Sequence, residues 1–243
     1  MEREIINCVL MCGGIGSRLN ANSKIYGKNI EKPLVSLNRK PLIQYIIETI
    51  LGLDREFRLF AAVSSNTKKT EEFINIKYFK KITIIKTKGT GFSEDFSYII
   101  KYFNANYQIK EQEKQLSNSS KIIFFPVDLP LVSINTIERI RELKQETPLT
   151  SIVIDKKIIE DNGFCPTPYT LRIDEKEYCY TGISVVDFAH ISNNIGKINC
   201  NQIKETPFII NSPEFAFNIN TRDDLKRTED YIICVKNQTR REQ

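Results

Sequence analysis

One histidine, His190, stands in 243 residues. Catalysis by a histidine acid or base would therefore rest on a single residue in an ordinary context. The six cysteines form no C-x-x-C pair and have no histidines at metal-ligand spacing. Cys8, Cys12, Cys165, Cys179, Cys200 and Cys234 read as reduced thiols of a cytoplasmic protein. No apolar run reaches the ~18 residues of a membrane span, and Met1-Glu2-Arg3-Glu4 is no signal peptide. The net charge of +5 is mild. The lysines are scattered rather than interleaved with aromatics, so no nucleic-acid surface is indicated, and small anionic substrates are a sufficient reason for the excess. No internal repeat is visible.

Two familiar glycine motifs are also missing. In Gly13-Gly14-Ile15-Gly16-Ser17-Arg18 the last glycine is followed by Ser-Arg and not by the Gly-Lys-Ser/Thr of a Walker loop. A dinucleotide fingerprint starting at Gly14 needs a small residue where Leu19 stands. What is present is an apolar run, Ile5 to Met11, that reads as a buried strand running straight into those glycines. Such a junction brings backbone amides close to a polyphosphate. Arg18 and, fourteen residues on, Lys32 supply the positive charge a triphosphate requires. The plainer alternative is a tight strand-to-helix turn beside a surface arginine.

The rest of the chain alternates strands and helices. Polar, basic Asn20–Glu31, with Lys24 and Lys28, reads as a flap over the phosphates or simply as an exposed loop. Pro41 opens a helix closed by Gly52. The strand Arg58–Val63 leads through a Ser65-Asn66-Thr67 cap into a helix over 68–78. The strand Lys81–Ile85 ends in Thr87-Lys88-Gly89-Thr90-Gly91, and a helix capped by Ser93 follows. Residues 107–120 form a polar surface excursion. Lys121–Phe125 is the clearest buried strand and delivers Asp128, after which Ser133 caps a helix. Leu149–Ile154 and Tyr180–Val186 are further strands. Residues 155–178 read as an insertion of short strands and loops, and 189–213 as irregular. Phe215–Asn220 leads into a helix capped by Thr221, with Asp223 and Asp224 at its start. The expected architecture is a single α/β domain over 1–243, a three-layer, Rossmann-like, mostly parallel sheet with right-handed crossovers. The insertion lies at about 155–178, and the tail after about 230 is left loose. Ligands then bind beyond the carboxyl ends of the strands, where three loops converge.

At that edge, a divalent cation such as Mg²⁺ would take one or two protein oxygens plus phosphate oxygens. Asp128, at the end of a buried strand, is the evident carboxylate, although an aspartate there also suits a turn. Asn220 could add a neutral oxygen, but Asn-Thr-x-Asp is equally a good helix start.

Gly-Gly-x-Gly-x-Arg…Lys-Pro, the strand-borne Asp128 and Phe217–Leu225 resemble the molybdenum-cofactor guanylyltransferase-like superfamily of nucleotidyltransferases. Ser64–Thr70, Thr87–Asp95 and Gly182–Val186 look most like the archaeal GTP:adenosylcobinamide-phosphate guanylyltransferases within it. The resemblance implies the nucleotidyltransferase fold and transfer of GMP from GTP to a corrinoid phosphate, with release of pyrophosphate, in cobamide synthesis. It places Gly13, Gly14, Gly16, Ser17, Arg18 and Lys32 on the triphosphate, and Asn66, Gly89 and Thr90 near guanine and ribose. Asp128 and Asn220 face the metal, and Gly182 faces the corrinoid. Arg18, Lys32 and Asp128 are its catalytic set. An acceptor phosphate is already anionic and needs no general base, in keeping with the scarcity of histidine. Thirteen residues separate Arg18 from Lys32, long for this family, so Lys24 or Lys28 could take the phosphate role. Residues 155–178 and the tail after Asp230 match nothing in it. Two other readings remain open: transfer to a molybdopterin, sugar or alditol phosphate, and a nucleotide-sensing domain without turnover. Homodimer formation is also left open.

Overall fold

The fold is built on β1 (Ile6–Met11), whose residues alternate between two faces that are both buried. Cys8 and Leu10 join one apolar cluster and Val9 the other, so β1 must lie at the centre of a covered sheet. The computed structural model describes residues 5–14, 16, 19, 30–53, 57–112, 121–188, 191 and 203–239. In it, β1 pairs in parallel with β4 (Phe57–Val63) on one side and β6 (Lys121–Pro126) on the other. The short strands β2 (Ser36–Leu37) and β3 (Lys40–Pro41) form a separate hairpin. Beyond β4 lies β5 (Ile82–Lys86), again parallel. On the other side, β6 pairs antiparallel with β9 (Lys176–Asp187), which pairs antiparallel with β7 (Leu149–Asp155). β10 (Glu205–Ile209) adds to β7 in parallel, giving the order β10-β7-β9-β6-β1-β4-β5.

Helices cover both faces. α1 (Leu42–Leu51) turns Leu42, Ile43, Ile46, Ile47 and Ile50 inward. With α2 (Lys68–Lys77) and α4 (Ile134–Arg141) it covers the larger cluster. α3 (Phe92–Gln112) sets Phe96, Ile99, Ile100 and Phe103 against Val9, Ala62, Ile85 and Phe124 on the opposite face. This is the three-layer α/β architecture expected, with β9 as the antiparallel exception. Among the described residues no helix is long and apolar enough to cross a membrane.

Several local expectations change. The helix over 68–78 is not capped by its own Ser65-Asn66-Thr67. The Thr67 hydroxyl accepts from Ser64 N at 3.0 Å, and no side chain of that stretch caps α2. Glu31 does so instead, accepting Lys69 N at 3.0 Å and Thr70 N at 2.7 Å. α3 begins at Phe92, ahead of Ser93, with Asp95 N bonded to Gly91 O. Ser133 caps α4 as expected, its hydroxyl accepting Thr136 N, and Glu214 accepts Ser133 N at 3.0 Å. Residues 155–178 contain a helical turn, α5 (Lys156–Asp161), ahead of β8 (Thr170–Ile173). β8 joins β9 through Asp174 and Glu175, both at positive φ, the turn that a tight hairpin favours. The stretch 189–213, read as irregular, supplies the edge strand β10. Its Pro207 disguises it in sequence and is tolerated there because an edge strand need not donate on both sides. The chain beyond Asp230 continues as helix in α6 (Arg222–Thr239).

Candidate active site

Parallel strands bring their carboxyl ends to one edge, and four loops meet there. After β1, Cys12 N still pairs with Ala62 O at 2.9 Å. After β4, Val63 O accepts Thr87 N at 2.7 Å, so the loops leave the sheet in register. Ser64 joins them: its hydroxyl donates to Gly13 O at 3.3 Å and accepts Asn66 N at 3.2 Å. Gly89 lies directly against it at φ 68°, where a Cβ would come within 2.5 Å of Ser64 Oγ and 3.0 Å of Asn66 Nδ2. Asp95, only 6% exposed, accepts Gly89 N at 3.1 Å through Oδ1. Its Oδ2 points at Gly13, 3.1 Å from where a Cβ would stand.

The fourth loop follows β6 and carries Asp128. Its backbone carbonyl accepts Ile219 N at 2.9 Å, which locks the loop to the segment before α6. Asn220 follows, with Asp224 Oδ2 accepting its N–H at 3.0 Å and that of Thr221 at 2.7 Å. The Thr221 hydroxyl accepts Asp224 N at 3.1 Å, so α6 starts as the sequence suggests. Lys32 bridges the two carriers, its ammonium 2.5 Å from Asp128 Oδ2 and 3.0 Å from Asn220 Oδ1. Gly16, at φ 63°, would place a Cβ 2.9 Å from Lys32 Cβ, so glycine is required for the loop to close on the lysine.

These parts enclose a cleft of about 440 Å³. Gly13, Gly14, Gly16 and Lys32 line it together with Gly89, Thr90, Phe92 and Asp95, and with Pro126, Val127 and Asp128. Of the residues singled out in sequence, the structure thus brings together Gly13, Gly14, Gly16, Lys32, Gly89, Thr90 and Asp128. Asn220 joins them through Lys32, and Asn66 stands behind Gly89. Gly182 is not among the cleft-lining residues. It sits where the β7–β9 register shifts, at φ 85°, and a Cβ would stand 3.2 Å from Pro126 Cγ. Ser17, Arg18, Lys24, Lys28 and His190 lie outside the described residues. Sequence reasoning missed Asp95 as part of the site, and missed Glu31, beside Lys32, as the cap of α2. The available signal for Asp95 was a carboxylate four residues after the Gly89–Gly91 loop, in a helix's first turn. Cys12 also borders the cleft, and burial pushes its thiol up, so it stays neutral and unreactive.

The donor chemistry suits a hard divalent cation. Asp128 Oδ1 is buried with no hydrogen-bond partner among the described residues. Asp128 and Asn220 present oxygens converging on one point, now met by the Lys32 ammonium. Among the described residues no cluster of three or more His, Cys, Asp or Glu side chains forms a self-sufficient metal cage. Two protein oxygens fit a metal that shares phosphate oxygens and water.

The doubly wound sheet, with a glycine loop after its central strand and an aspartate loop beside it, has the fold of solved nucleotidyltransferases. A 4-diphosphocytidyl-2C-methyl-D-erythritol synthase from Anaerococcus prevotii matches with a TM-score of 0.61 at 11% identity, over 95% of this chain and 97% of that one. A nucleotidyl transferase from Methanothermobacter matches at 0.56 and 16%, over 95% and 99%. No protein-family model matches the chain. In sequence it is 30% identical over 234 residues to the adenosylcobinamide-phosphate guanylyltransferase of Methanocaldococcus jannaschii, covering 92% of this chain and 96% of the relative. The chain belongs to that family, the one its motifs resemble.

Proposed function

We propose that the protein transfers GMP from GTP to adenosylcobinamide phosphate, releasing pyrophosphate. The observation that carries this reading is the meeting of the Gly13–Gly16 turn, Lys32 and Asp128 in one cleft, in a chain of this family. The triphosphate lies along the Gly13–Gly16 turn, its backbone N–H groups and Lys32 facing the phosphates, with Ser17 and Arg18 assigned to the same task. Guanine is held on the opposite wall. The Asn66 amide, the Gly89–Gly91 backbone and the Asp95 carboxylate offer acceptors and donors for its edge, Asp95 being suited to the ring N–H and amino group. Asp128 and Asn220 would hold Mg²⁺, which when bound neutralises charge building on the phosphates. The acceptor's phosphate oxygen forms a bond to the α-phosphorus as the bond to the bridging pyrophosphate oxygen breaks. No proton must be removed from a phosphate anion, so the site needs no general base. Catalysis then consists of alignment and charge neutralisation. Gly182 serves the acceptor side through Pro126, whose ring packs on it.

The test supplies GTP, Mg²⁺ and adenosylcobinamide phosphate, and measures pyrophosphate and the guanylylated corrinoid. GTP is expected to exceed ATP in kcat/KM by well over about tenfold, because hydrogen-bonding groups left unpaired reject the wrong base. Asp128→Asn should lower kcat by about a hundredfold or more while the protein stays folded. Turnover with a molybdopterin but not with the corrinoid would overturn the acceptor assignment. Wild-type turnover by Asp128→Asn would remove Asp128 from the chemistry.

A further inference from the structure

Lys32 sits where a metal is expected rather than where a phosphate is. Its Nζ lies 2.5 Å from Asp128 Oδ2 and 3.0 Å from Asn220 Oδ1. The lysine and aspartate side chains are only 14% and 15% exposed. Both oxygens are fixed from behind. Asn220 Nδ2 donates to Asn218 Oδ1 at 2.8 Å, which turns Oδ1 toward the lysine, and the Ile219–Asp128 backbone bond clamps the two segments together. The base of Lys32 is fixed too, since its Cβ packs on Gly16 and Pro33 follows it in a short 3-10 turn.

An ammonium is a compact charge with three donors, able to bridge a carboxylate and an amide oxygen much as a small cation does. It cannot share them with one. A metal bonded to both oxygens at about 2.0–2.6 Å would lie against the ammonium, cation to cation. Without either, Asp128 would be a mostly buried carboxylate with no compensating charge, a costly state.

We infer that Lys32 is a placeholder for the metal. In the nucleotide-free protein its ammonium occupies the cation position between Asp128 and Asn220, and it leaves when a triphosphate offers it another anionic partner. This rests on the metal reading above and adds an order to it. The free protein takes up divalent metal poorly, the triphosphate draws Lys32 off Asp128, and the metal enters with the nucleotide. By linkage the metal strengthens nucleotide binding by the same factor. The device keeps the metal position from filling before a substrate arrives.

The experiment titrates Mn²⁺ into nucleotide-free wild-type protein, Lys32→Met and Lys32→Met/Asp128→Asn, following free Mn²⁺ by electron paramagnetic resonance. Lys32→Gln serves as a second variant should the methionine perturb the fold in circular dichroism. In parallel, calorimetry measures the affinity of wild type and Asp128→Asn for an α,β-methylene GTP analogue with and without Mn²⁺. Lys32→Met is expected to bind Mn²⁺ about tenfold or more tighter than wild type, within the usual range of allosteric couplings. The double variant is expected to lose that gain. A Lys32→Met protein binding Mn²⁺ no tighter than wild type, with analogue affinity still depending on Mn²⁺ through Asp128, overturns the placeholder and leaves the metal site standing. A Mn²⁺ dependence unchanged in Asp128→Asn overturns the metal reading and the placeholder with it.

Discussion

Gly89 and Gly14 are both glycines of the cleft, yet their missing side chains do different work. At Gly89 the backbone is left-handed, φ 68°, and a Cβ would stand 2.5 Å from Ser64 Oγ. Ser64 is the residue that ties the Gly13 loop to the Asn66 loop. An alanine at 89 therefore costs about 1–2 kcal/mol in backbone conformation and also displaces that link. Gly89→Ala should lower Tm by about 2–8 °C, at the 2–4 °C per kcal/mol expected for a chain of this size. It should reduce activity further than the lost stability explains. At Gly14 nothing lies within 4 Å of the place a methyl group would take, and the residue faces the cleft. Gly14→Ala should leave Tm unchanged within about 2 °C, since a surface substitution clear of packing shifts stability by under ~0.5 kcal/mol. It should still weaken GTP binding by narrowing the approach to the loop. Thermal melts beside calorimetric GTP titrations decide both. Equal behaviour of the two variants would mean that the glycines serve only the turn.

Among the elements, helix starts are where distant parts of the chain meet. Glu31 accepts Lys69 N and Thr70 N at the start of α2, and Glu214 accepts Ser133 N at the start of α4. A carboxylate there satisfies orphan N–H groups and opposes the positive end of the helix dipole. Glu31 also precedes Lys32 directly, so the same contact fixes the backbone from which the lysine reaches Asp128. Glu31→Ala should cost about 1–2 kcal/mol in urea denaturation, as a lost cap does. It should also weaken GTP binding, whereas Glu214→Ala should cost similar stability and leave GTP affinity alone. If both variants bind GTP as wild type does, Glu31 is a cap and nothing more. These long-range caps also show why parts of the molecule were not legible in the sequence. Strands such as β1 and β6 announce themselves because both faces are apolar, and α1 and α4 because their apolar residues recur on one face. Ser133 and Thr221 were readable as caps because they bond within three residues. Glu31 was not, since its partners lie 38 and 39 residues away. β10 was hidden because an edge strand needs little apolar surface and tolerates Pro207. The site's glycines, Lys32 and Asp128 carried a local signature. Asp95 carried only the weak signal of its place after the Gly89–Gly91 loop, because its second contact, with Gly13, comes from the distant loop after β1.

On the scale of the whole molecule, the buried thiols of β1 and its loop couple stability to pH. Cys8 lies in the central strand at 0% exposure and Cys12 just beyond it at 1%, and burial pushes both thiols far above their ordinary range. In the unfolded chain they titrate near about 8.5. The folded state thus holds these protons where the unfolded state releases them. Their contribution to stability is fully present below about pH 8.5 and is lost as pH rises above it, through thiolates that form only on unfolding. Each thiol should remove about 1.4 kcal/mol per pH unit on that limb, so the pair should remove about 2.8. Burial also pushes up the thiol of Cys179 in β9, which adds to the same trend. Stability from urea denaturation under reducing conditions is expected to hold from pH 7 to about pH 8.5 and then to fall at least this steeply toward pH 10. Cys8→Ala should start lower, because it leaves a small cavity in the sheet, yet decline less steeply by about 1.4 kcal/mol per unit. Only the slope separates the two effects. Cavity formation shifts the whole curve, and lost proton linkage tilts it. A Cys8→Ala curve parallel to wild type would show that the thiol ionises in the folded protein, and that the centre of the sheet is less tightly closed than its burial implies.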